Sequence, residues 1–327
     1  TGAILSIAHC PHINPNTYSD SDRSLWRNRA VTDSFEPGST MKIFSAAAAL
    51  EYGESTPSSI FYCENGAYQI GKNVVHDIHK RGWLSLQNII KFSSNIGAVK
   101  IGEKVGAKNL YRALRNFGFG RKTGIDFPGE TTGSLADYAS WSKIDTGAIS
   151  FGHGVSASAI QMVTAVSAIA NDGILMKPYI VQQIVNQNGH PVRRFEPQKV
   201  RRAISAHTAT IVKNIMKTVV TEGGTGVNAA IEGYSVGGKT GTSRKLDKNG
   251  QYSDNSHTAS FIGFTPADNP EIAIIVVIDE PKGQYYGGIV AAPVFKQIAQ
   301  QTLNYLNVPP DGGTTKFRVF LGSEVQG

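Results

Sequence analysis

Apolar residues recur along much of this chain with the spacing of three to four positions that is typical of a helix with one buried face. Residues 43–50 differ, because they are apolar on all sides and therefore predict a fully buried helix that ends near Gly53. Further helices are predicted over residues 84–92, 107–117, 157–171, 208–221 and about 292–306.

Shorter apolar segments rich in β-branched residues predict strands. Residues 3–8 are expected to form one strand of a sheet. Residues 179–185 and 191–195 flank Asn188-Gly189 and predict a hairpin. An edge strand ending near Thr242 is expected to begin an antiparallel sheet that continues through residues 258–264 and 271–278. Its glycines would let a ligand approach the backbone closely.

The order of these elements predicts one α+β domain made of two lobes. The strands come from both ends of the chain, so we expect an α/β lobe from about residues 1–34 and 174–307. A mainly helical lobe over about residues 35–173 would be inserted between them, and residues 308–327 would form a C-terminal tail.

Composition narrows the class of protein. The 327 residues are 40% hydrophobic, which is enough to bury a large core. The net charge of +7 is spread along the chain without interleaved aromatic residues, so no nucleic-acid partner is predicted. Attraction to anionic polymers or headgroups and a merely solvated surface both stay open. Cys10 and Cys63 favour two free thiols, although pairing in an oxidising compartment is also possible.

The strongest chemical signal lies where the buried helix begins. Ser39-Thr40-Met41-Lys42 follows Pro37-Gly38, and residues at i and i+3 lie on one face of a helix. This spacing places an amine beside a hydroxyl, and a serine needs such a base to act as a nucleophile. The N-terminus of the helix adds free N–H groups that suit an oxyanion. By itself the pattern also fits an ordinary capped core helix.

Two further short motifs carry polar groups that suit a catalytic site. Ser93-Ser94-Asn95 interrupts a helical segment and presents a hydroxyl and an amide. An ordinary helix cap would have the same residue types, so that alternative stays open. Lys239-Thr240-Gly241-Thr242 lies in the predicted edge strand. A second Lys-Thr-Gly begins at Lys122, but glycine and proline surround it, so we assign it to a turn.

Together these motifs resemble the transpeptidase domain of class B penicillin-binding proteins. S-x-x-K paired with K-T-G is typical of those proteins and of class A β-lactamases. Other matching segments include Phe117-Gly118-Phe119-Gly120, Gly152-His153-Gly154 and Tyr286-Gly287-Gly288, and the similarity extends over nearly the whole chain. The Phe35-Glu36-Pro37-Gly38 segment and Asn95 are most similar to the division and sporulation (FtsI-like) branch. The resemblance implies a penicillin-binding and serine β-lactamase-like fold, with an antiparallel sheet of about five strands flanked by helices.

The resemblance also implies residue roles. Ser39 would be the nucleophile, Lys42 would take its proton and Ser93 would relay protons to the leaving amine. Burial and a neighbouring Lys239 would both lower the pKa of Lys42. Lys239 would place the substrate carboxylate. The other implied positions are an amide-binding Asn95, the carboxylate-binding Thr240, Gly241 and Thr242, and an oxyanion hole formed by the N–H groups of Ser39 and Thr242.

The implied function is a D,D-transpeptidase that cross-links peptidoglycan stem peptides ending in D-Ala-D-Ala and is acylated by β-lactam antibiotics. A D,D-carboxypeptidase, a serine β-lactamase and a penicilloyl sensor remain alternatives. A Glu-x-x-Leu-Asn sequence, typical of the deacylating base in class A β-lactamases, does not occur.

The resemblance implies no cofactor or metal. His76 and His79 lack a nearby third ligand and predict no metal site. The chain contains neither a stretch of about 20 apolar residues nor a signal peptide. The family implies an extracytoplasmic, periplasmic location, with a membrane anchor and pedestal that this chain would lack. A membrane glycan polymerase and division proteins would be partners through that missing part.

Overall fold

A computed structural model describes residues 1–53, 55–247 and 250–311. A helix lies close to each of the six predicted segments, whereas the helices at residues 95–105 and 143–150 were not predicted individually. The helices are α1 (Arg29–Thr32), α2 (Lys42–Tyr52), α3 (Leu86–Phe92), α4 (Asn95–Val105), α5 (Ala107–Asn116), α6 (Lys143–Ser150), α7 (Ala159–Ala170), α8 (Ala206–Val219), α9 (Gly287–Val290) and α10 (Ala292–Tyr305).

The strands are mostly short, apart from three in the C-terminal half. They are β1 (Ile60–Tyr62), β2 (Ala67–Ile70), β3 (Asn73–His76), β4 (Trp83–Ser85), β5 (Ile174–Met176), β6 (Gln183–Val185), β7 (Pro191–Arg194), β8 (Lys199–Arg202), β9 (Gly237–Leu246), β10 (Tyr252–Thr265) and β11 (Ile272–Asp279). Short 3-10 helices occur at Pro15–Asp20, Arg23–Leu25, Gly38–Met41, Glu64–Gly66, Tyr138–Ser140 and Val227–Ala229.

The main sheet is antiparallel, in the order β11-β10-β9. Thr242 in β9 lies opposite Ala259 in β10, and Val276 in β11 lies opposite Phe261 in β10. This arrangement makes β9 an edge strand, as predicted. The predicted hairpin is also present, since β6 pairs with β7. The α+β class is therefore confirmed.

The strand predicted over residues 3–8 is wrong. Ala3 makes one isolated parallel bridge with Tyr179, and the described part of the main sheet has three strands instead of about five. Ile4 and Ile7 pack against a small cluster of buried side chains formed by Val31, Ile125 and Ile160. Because these contacts are three residues apart, the segment does not alternate its faces with the period of two that a strand requires.

The buried helix predicted from residues 43–50 is confirmed, and it passes through the main core. Residues Lys42 to Ala49 of α2 are all buried. The Phe44 ring lies 4.9 Å from the Phe117 ring and 5.0 Å from the Phe119 ring, both in edge-on contact. Such aromatic pairs stabilise a core beyond the area that they bury. The start of α2 is therefore held firmly in place, and that is where the predicted nucleophile lies.

Both cysteines are free thiols, Cys10 exposed and Cys63 buried, as the sequence favoured. Residues 312–327 of the predicted tail lie outside the described residues.

Candidate active site

Ser39 lies in the 3-10 turn Gly38–Met41, which leads directly into α2. In a 3-10 turn residues at i and i+3 are eclipsed, so Ser39 and Lys42 still share one side of the chain although Ser39 precedes the α-helix itself. Gly38 has a φ of +53°, and a Cβ there would lie 3.0 Å from the carbonyl oxygen of Thr242. A glycine is therefore needed for the close approach of this turn to β9.

The amine of Lys42 is fully buried and faces the turn between α3 and α4. Lys42 Nζ lies 2.6 Å from Ser93 O, 2.7 Å from Asn95 Oδ1 and 3.2 Å from Ser93 Oγ. Within the described residues, the half-buried Ser39 makes no side-chain hydrogen bond. The structure thus brings the first and second motifs together through the lysine.

A second buried amine reaches the same hydroxyl. Lys239 Nζ, on β9, lies 2.9 Å from Ser93 Oγ and also contacts Thr240 O at 3.0 Å. Ser93 ends α3 in the left-handed conformation, with a φ of 61°. Such a backbone is strained for a residue other than glycine, and it turns the serine toward the two lysines. All three motifs therefore meet at Ser93 Oγ.

Burial of two amines at one hydroxyl changes their protonation. Burial lowers the pKa of Lys42 from 10.5 to about 7, although the negative charge of Asp77 acts in the opposite direction. Burial and the charge of Lys42 place the pKa of Lys239 well below its usual value. The lower pKa of Lys42 agrees with the predicted effect of burial, whereas the predicted contribution of Lys239 is not among its causes. Two adjacent ammonium groups in a buried site repel each other, so the site favours one neutral amine.

Asn95 is held on both sides of its amide. Its Oδ1 accepts a hydrogen bond from Lys42, and its Nδ2 donates to the carbonyl oxygen of His76 at 2.9 Å. Asn95 is also the first residue of α4, whose N-cap is Ser94. The helix cap that the sequence left open as an alternative is therefore present as well. The same turn caps α4 and holds Ser93 and Asn95 against Lys42.

Asp77, in the loop between β3 and β4, is a site residue that the sequence did not reveal. Its carboxylate accepts the backbone N–H groups of Asn95 at 2.5 Å and Ile96 at 3.0 Å, and the hydroxyl of Ser94 at 2.5 Å. These bonds satisfy free N–H groups at the start of α4 and place a negative charge near Lys42. Asp77 stands 17 residues before Ser94, and no local spacing rule links two positions so far apart.

The third motif lines the opposite wall. A Cβ on Gly241 would lie 2.8 Å from the Thr40 side chain and 3.2 Å from Pro37 O, so β9 packs directly on the turn that holds Ser39. The Thr240 hydroxyl donates to the Thr225 hydroxyl at 3.0 Å. Thr242 Oγ1 accepts the N–H of Gly287 at 3.1 Å.

The N–H of Ser39 is available at this wall. Its neighbours are occupied, since Gly38 N–H donates to Gly152 O at 3.2 Å and Thr40 N–H to Pro37 O at 3.4 Å. Among the described residues, no backbone hydrogen bond uses the N–H of Ser39 itself. A free amide beside a nucleophile is suited to bind an oxyanion.

The second Lys-Thr-Gly lies elsewhere in a loop, as predicted. Thr123 donates its N–H and its hydroxyl to Glu130 Oε1, both at 2.6 Å, so a carboxylate organises this segment. The polar loop 247–250, a candidate flap beside the site, includes residues 248 and 249, which lie outside the described residues.

Comparison with known proteins identifies close similarities. The model of the penicillin-binding protein transpeptidase domain matches residues 1–300. The probable peptidoglycan D,D-transpeptidase PenA of Neisseria flavescens is 40% identical over 95% of this chain and 74% of its own length. Stage V sporulation protein D of Bacillus subtilis is 40% identical over 94% of this chain and 48% of its own length.

A solved structure agrees with these sequence relatives. The TP domain of penicillin-binding protein 3 from Burkholderia pseudomallei has a TM-score of 0.79 and 37% identity, over 87% of this chain and 83% of that one. The chain spans about half the length of several other curated relatives that it matches. Among the described residues, none of the helices combines the length and the apolar character that crossing a membrane requires.

Proposed function

The chain belongs to the penicillin-binding protein transpeptidase family, and on this premise we propose that it is a serine D,D-transpeptidase that cross-links peptidoglycan stem peptides. The observation that carries the proposal is the meeting of Lys42, Lys239 and Ser93 beside the turn of Ser39. Its class B relatives include a sporulation protein, which supports the division and sporulation branch.

The chemistry begins with the proton of Ser39. A neutral Lys42 has two N–H bonds, which its short contacts to Ser93 O and Asn95 Oδ1 can use. Its lone pair then stays available for a hydroxyl proton. Ser39 Oγ attacks the carbonyl carbon of the penultimate D-Ala as Lys42 takes the proton. The oxyanion that forms is bound by the N–H groups of Ser39 and Thr242.

Collapse of this intermediate needs a proton on the leaving amine. Ser93 Oγ lies between both lysines and can pass a proton from Lys42 to the nitrogen of the terminal D-Ala. The C–N bond breaks, D-Ala leaves, and the peptide stays on Ser39 as an ester. The amine of a second stem peptide then attacks the ester, loses a proton through the same groups and restores Ser39.

The substrate's terminal carboxylate is assigned to the β9 wall. Because a neutral Lys42 removes the charge that lowers the Lys239 pKa, Lys239 can hold its proton and supply a positive field. The hydroxyls of Thr240 and Thr242 with the close backbone at Gly241 complete the pocket. Asn95 is assigned to an amide of the substrate peptide. That amide would replace the present contacts of Asn95 with Lys42 and with the carbonyl oxygen of His76.

We place the activity on the extracytoplasmic side of the cytoplasmic membrane, where the peptidoglycan substrate is found. The proposed partners are stem peptides, β-lactams and, through parts of a longer protein, a membrane glycan polymerase and division proteins.

Intact-mass spectrometry after incubation with a penicillin tests the acyl-enzyme. One adduct that peptide mapping places on Ser39 is expected, and no adduct would reject the assignment. A D-Ala-D-Ala donor peptide offered with an amine acceptor then separates the alternatives. Cross-linked product indicates a transpeptidase, whereas hydrolysed donor alone indicates a carboxypeptidase.

A further inference from the structure

Glu36 is a largely buried carboxylate beside the nucleophile's turn that the proposed mechanism does not use. Its side chain is 15% exposed. Glu36 Oε1 accepts the N–H of Gly154 at 2.8 Å, and the hydroxyl of Tyr252 lies 3.1 Å and 3.0 Å from the two carboxylate oxygens. His153 Nδ1 lies 3.1 Å from Glu36 Oε2 and 3.0 Å from the Tyr252 oxygen. One carboxylate thus gathers groups from two other segments.

The protons in this cluster have one consistent arrangement. An ionised carboxylate only accepts, so Tyr252 and Gly154 must donate to it. The hydroxyl proton of Tyr252 is then used, and His153 must carry a proton on Nδ1 and donate. Burial raises the pKa of Glu36, but hydrogen bonds from His153, Gly154 and Tyr252 outweigh it and lower the pKa overall. Burial and the charge of Glu36 hold the pKa of Tyr252 well above its usual value.

The cluster joins three pieces of the active-site wall. Glu36 O accepts the hydroxyl of Ser243 on β9 at 2.8 Å. Tyr252 begins β10 at the far end of the same hairpin, where it pairs with Leu246. On the other side, a Cβ on Gly152 would lie 2.1 Å from Gly38 O, so the segment holding His153 packs against the turn of Ser39 without room for a side chain.

The proposed oxyanion hole takes one N–H from each of two separate elements. Ser39 lies on the 3-10 turn and Thr242 lies on β9. No single element fixes the distance between them, and an error of about 1 Å in such a site costs roughly 100-fold in rate. The contacts of Glu36 with Ser243, Tyr252 and Gly154 tie the two elements together.

We propose that Glu36, His153 and Tyr252 form a positioning network that sets the spacing between the N–H groups of Ser39 and Thr242. The role rests on the proposed function, because it has meaning only if these groups bind an oxyanion. None of the three residues needs to touch the substrate.

Acylation by a chromogenic penicillin tests this role, with the limiting rate k2 and the apparent binding constant K measured separately. Tyr252→Phe removes one hydroxyl, and Glu36→Gln removes the charge. Each has a matched control elsewhere in the chain. Tyr234→Phe removes a hydroxyl that donates to Val308 O at 2.7 Å, and Glu51→Gln alters a carboxylate that binds Ser205 and Thr208.

We expect k2 to fall about 10-fold in Tyr252→Phe and Glu36→Gln, with K changed less than about 2-fold, because misplaced donors weaken the transition state and not the encounter. Labelling should still reach one adduct per chain. The Glu36→Gln/Tyr252→Phe double variant should fall little further than the worse single variant, since both remove one network. The control variants should keep the wild-type k2.

If the cluster only stabilises the fold, Tyr252→Phe and Glu36→Gln should lower the melting temperature and the number of labelled chains but leave k2 unchanged. That result would overturn the proposal. If Glu36→Gln does not fold, Tyr252→Phe decides alone. Labelling of the wild type is measured first. A wild-type chain without any adduct rejects the proposed function and this role with it, whereas normal wild-type labelling with unaffected variants rejects only the role of the network.

Discussion

The protonation of Lys42 can be measured through the pH dependence of acylation. Lowering its pKa from 10.5 to about 7 corresponds to about 5 kcal/mol of selective destabilisation of the ammonium form. At pH 7 roughly half of the chains would hold a neutral Lys42, against roughly 3 in 10,000 for a free lysine. If the neutral amine is the base, k2/K for a penicillin should rise with pH up to a midpoint near 7 and then level off.

Asp77 offers a way to move this midpoint without touching the lysine. Its charge raises the pKa of Lys42, so Asp77→Asn should lower the pKa and shift the rising limb to lower pH. The amide oxygen can still accept the N–H groups of Asn95 and Ile96, which preserves the start of α4. Asp126→Asn is the control for loss of a carboxylate charge elsewhere, since Asp126 also accepts two backbone N–H groups, that of Ile180 on Oδ1 and that of Val181 on Oδ2.

Stopped-flow acylation between pH 5 and 9 gives the profiles, with the melting temperature of each variant as a check on folding. Lys42→Arg should lose the limb together with most of the activity, since a guanidinium does not deprotonate in this range. A flat wild-type profile, or an active Lys42→Arg variant, would refute the role of Lys42 as base. An unmoved midpoint in Asp77→Asn would refute its coupling to Asp77.

Four further outcomes are expected. Ser39→Ala should abolish covalent penicillin labelling with the melting temperature almost unchanged, because a half-buried hydroxyl that makes no hydrogen bond within the described residues adds little stability; full-rate labelling would show another nucleophile. The penicilloyl-enzyme should persist for many minutes in a chase with unlabelled drug, since no second carboxylate base is predicted on the open side of the ester; release within seconds would indicate a β-lactamase. Gly38→Ala should cost about 1–3 kcal/mol and slow acylation, because φ is +53° and the new methyl would press on Thr242 O; equal stability by denaturant titration would contradict this. Finally, the unfolding free energy should rise between about pH 7 and 10.5, where the unfolded chain binds the Lys42 proton and the folded chain does not; Lys42→Met should make the rise smaller, and burial of Lys239 should keep part of it.

The local features of the site could be predicted from the sequence. The buried α2 followed from an apolar run without a polar face, and Gly38 marked the turn before it. The three motifs were recognisable because each is only three or four residues long, and helix and strand geometry fix how so few residues are displayed. The start of the helix differs in detail, because Ser39 lies in a 3-10 turn that precedes α2 and the spacing from Ser39 to Lys42 is that of this turn.

The N-terminal segment shows where local pattern stops being sufficient. Residues 3–8 have strand-forming composition, yet Ile4 and Ile7 pack against the small buried cluster that includes Ile160, and one bridge from Ala3 to Tyr179 is present instead of a strand. Pairing of a strand depends on a partner far away in the chain, and its own residues do not encode that partner.

The sequence by itself determined the chemical groups of this protein, their order and the short elements that carry them, because those depend on neighbours within one or two turns of chain. Only the tertiary structure decided how the groups act. It brought Lys239 to the hydroxyl of Ser93, 146 residues earlier, and buried Lys42 deeply enough to lower its pKa. It also placed the Asp77 carboxylate at the N–H of Asn95, and the Glu36 carboxylate at the hydroxyl of Tyr252, 216 residues later. Charge, burial and hydrogen bonding act through space, and the chain folds back on itself to create distances that sequence separation does not contain.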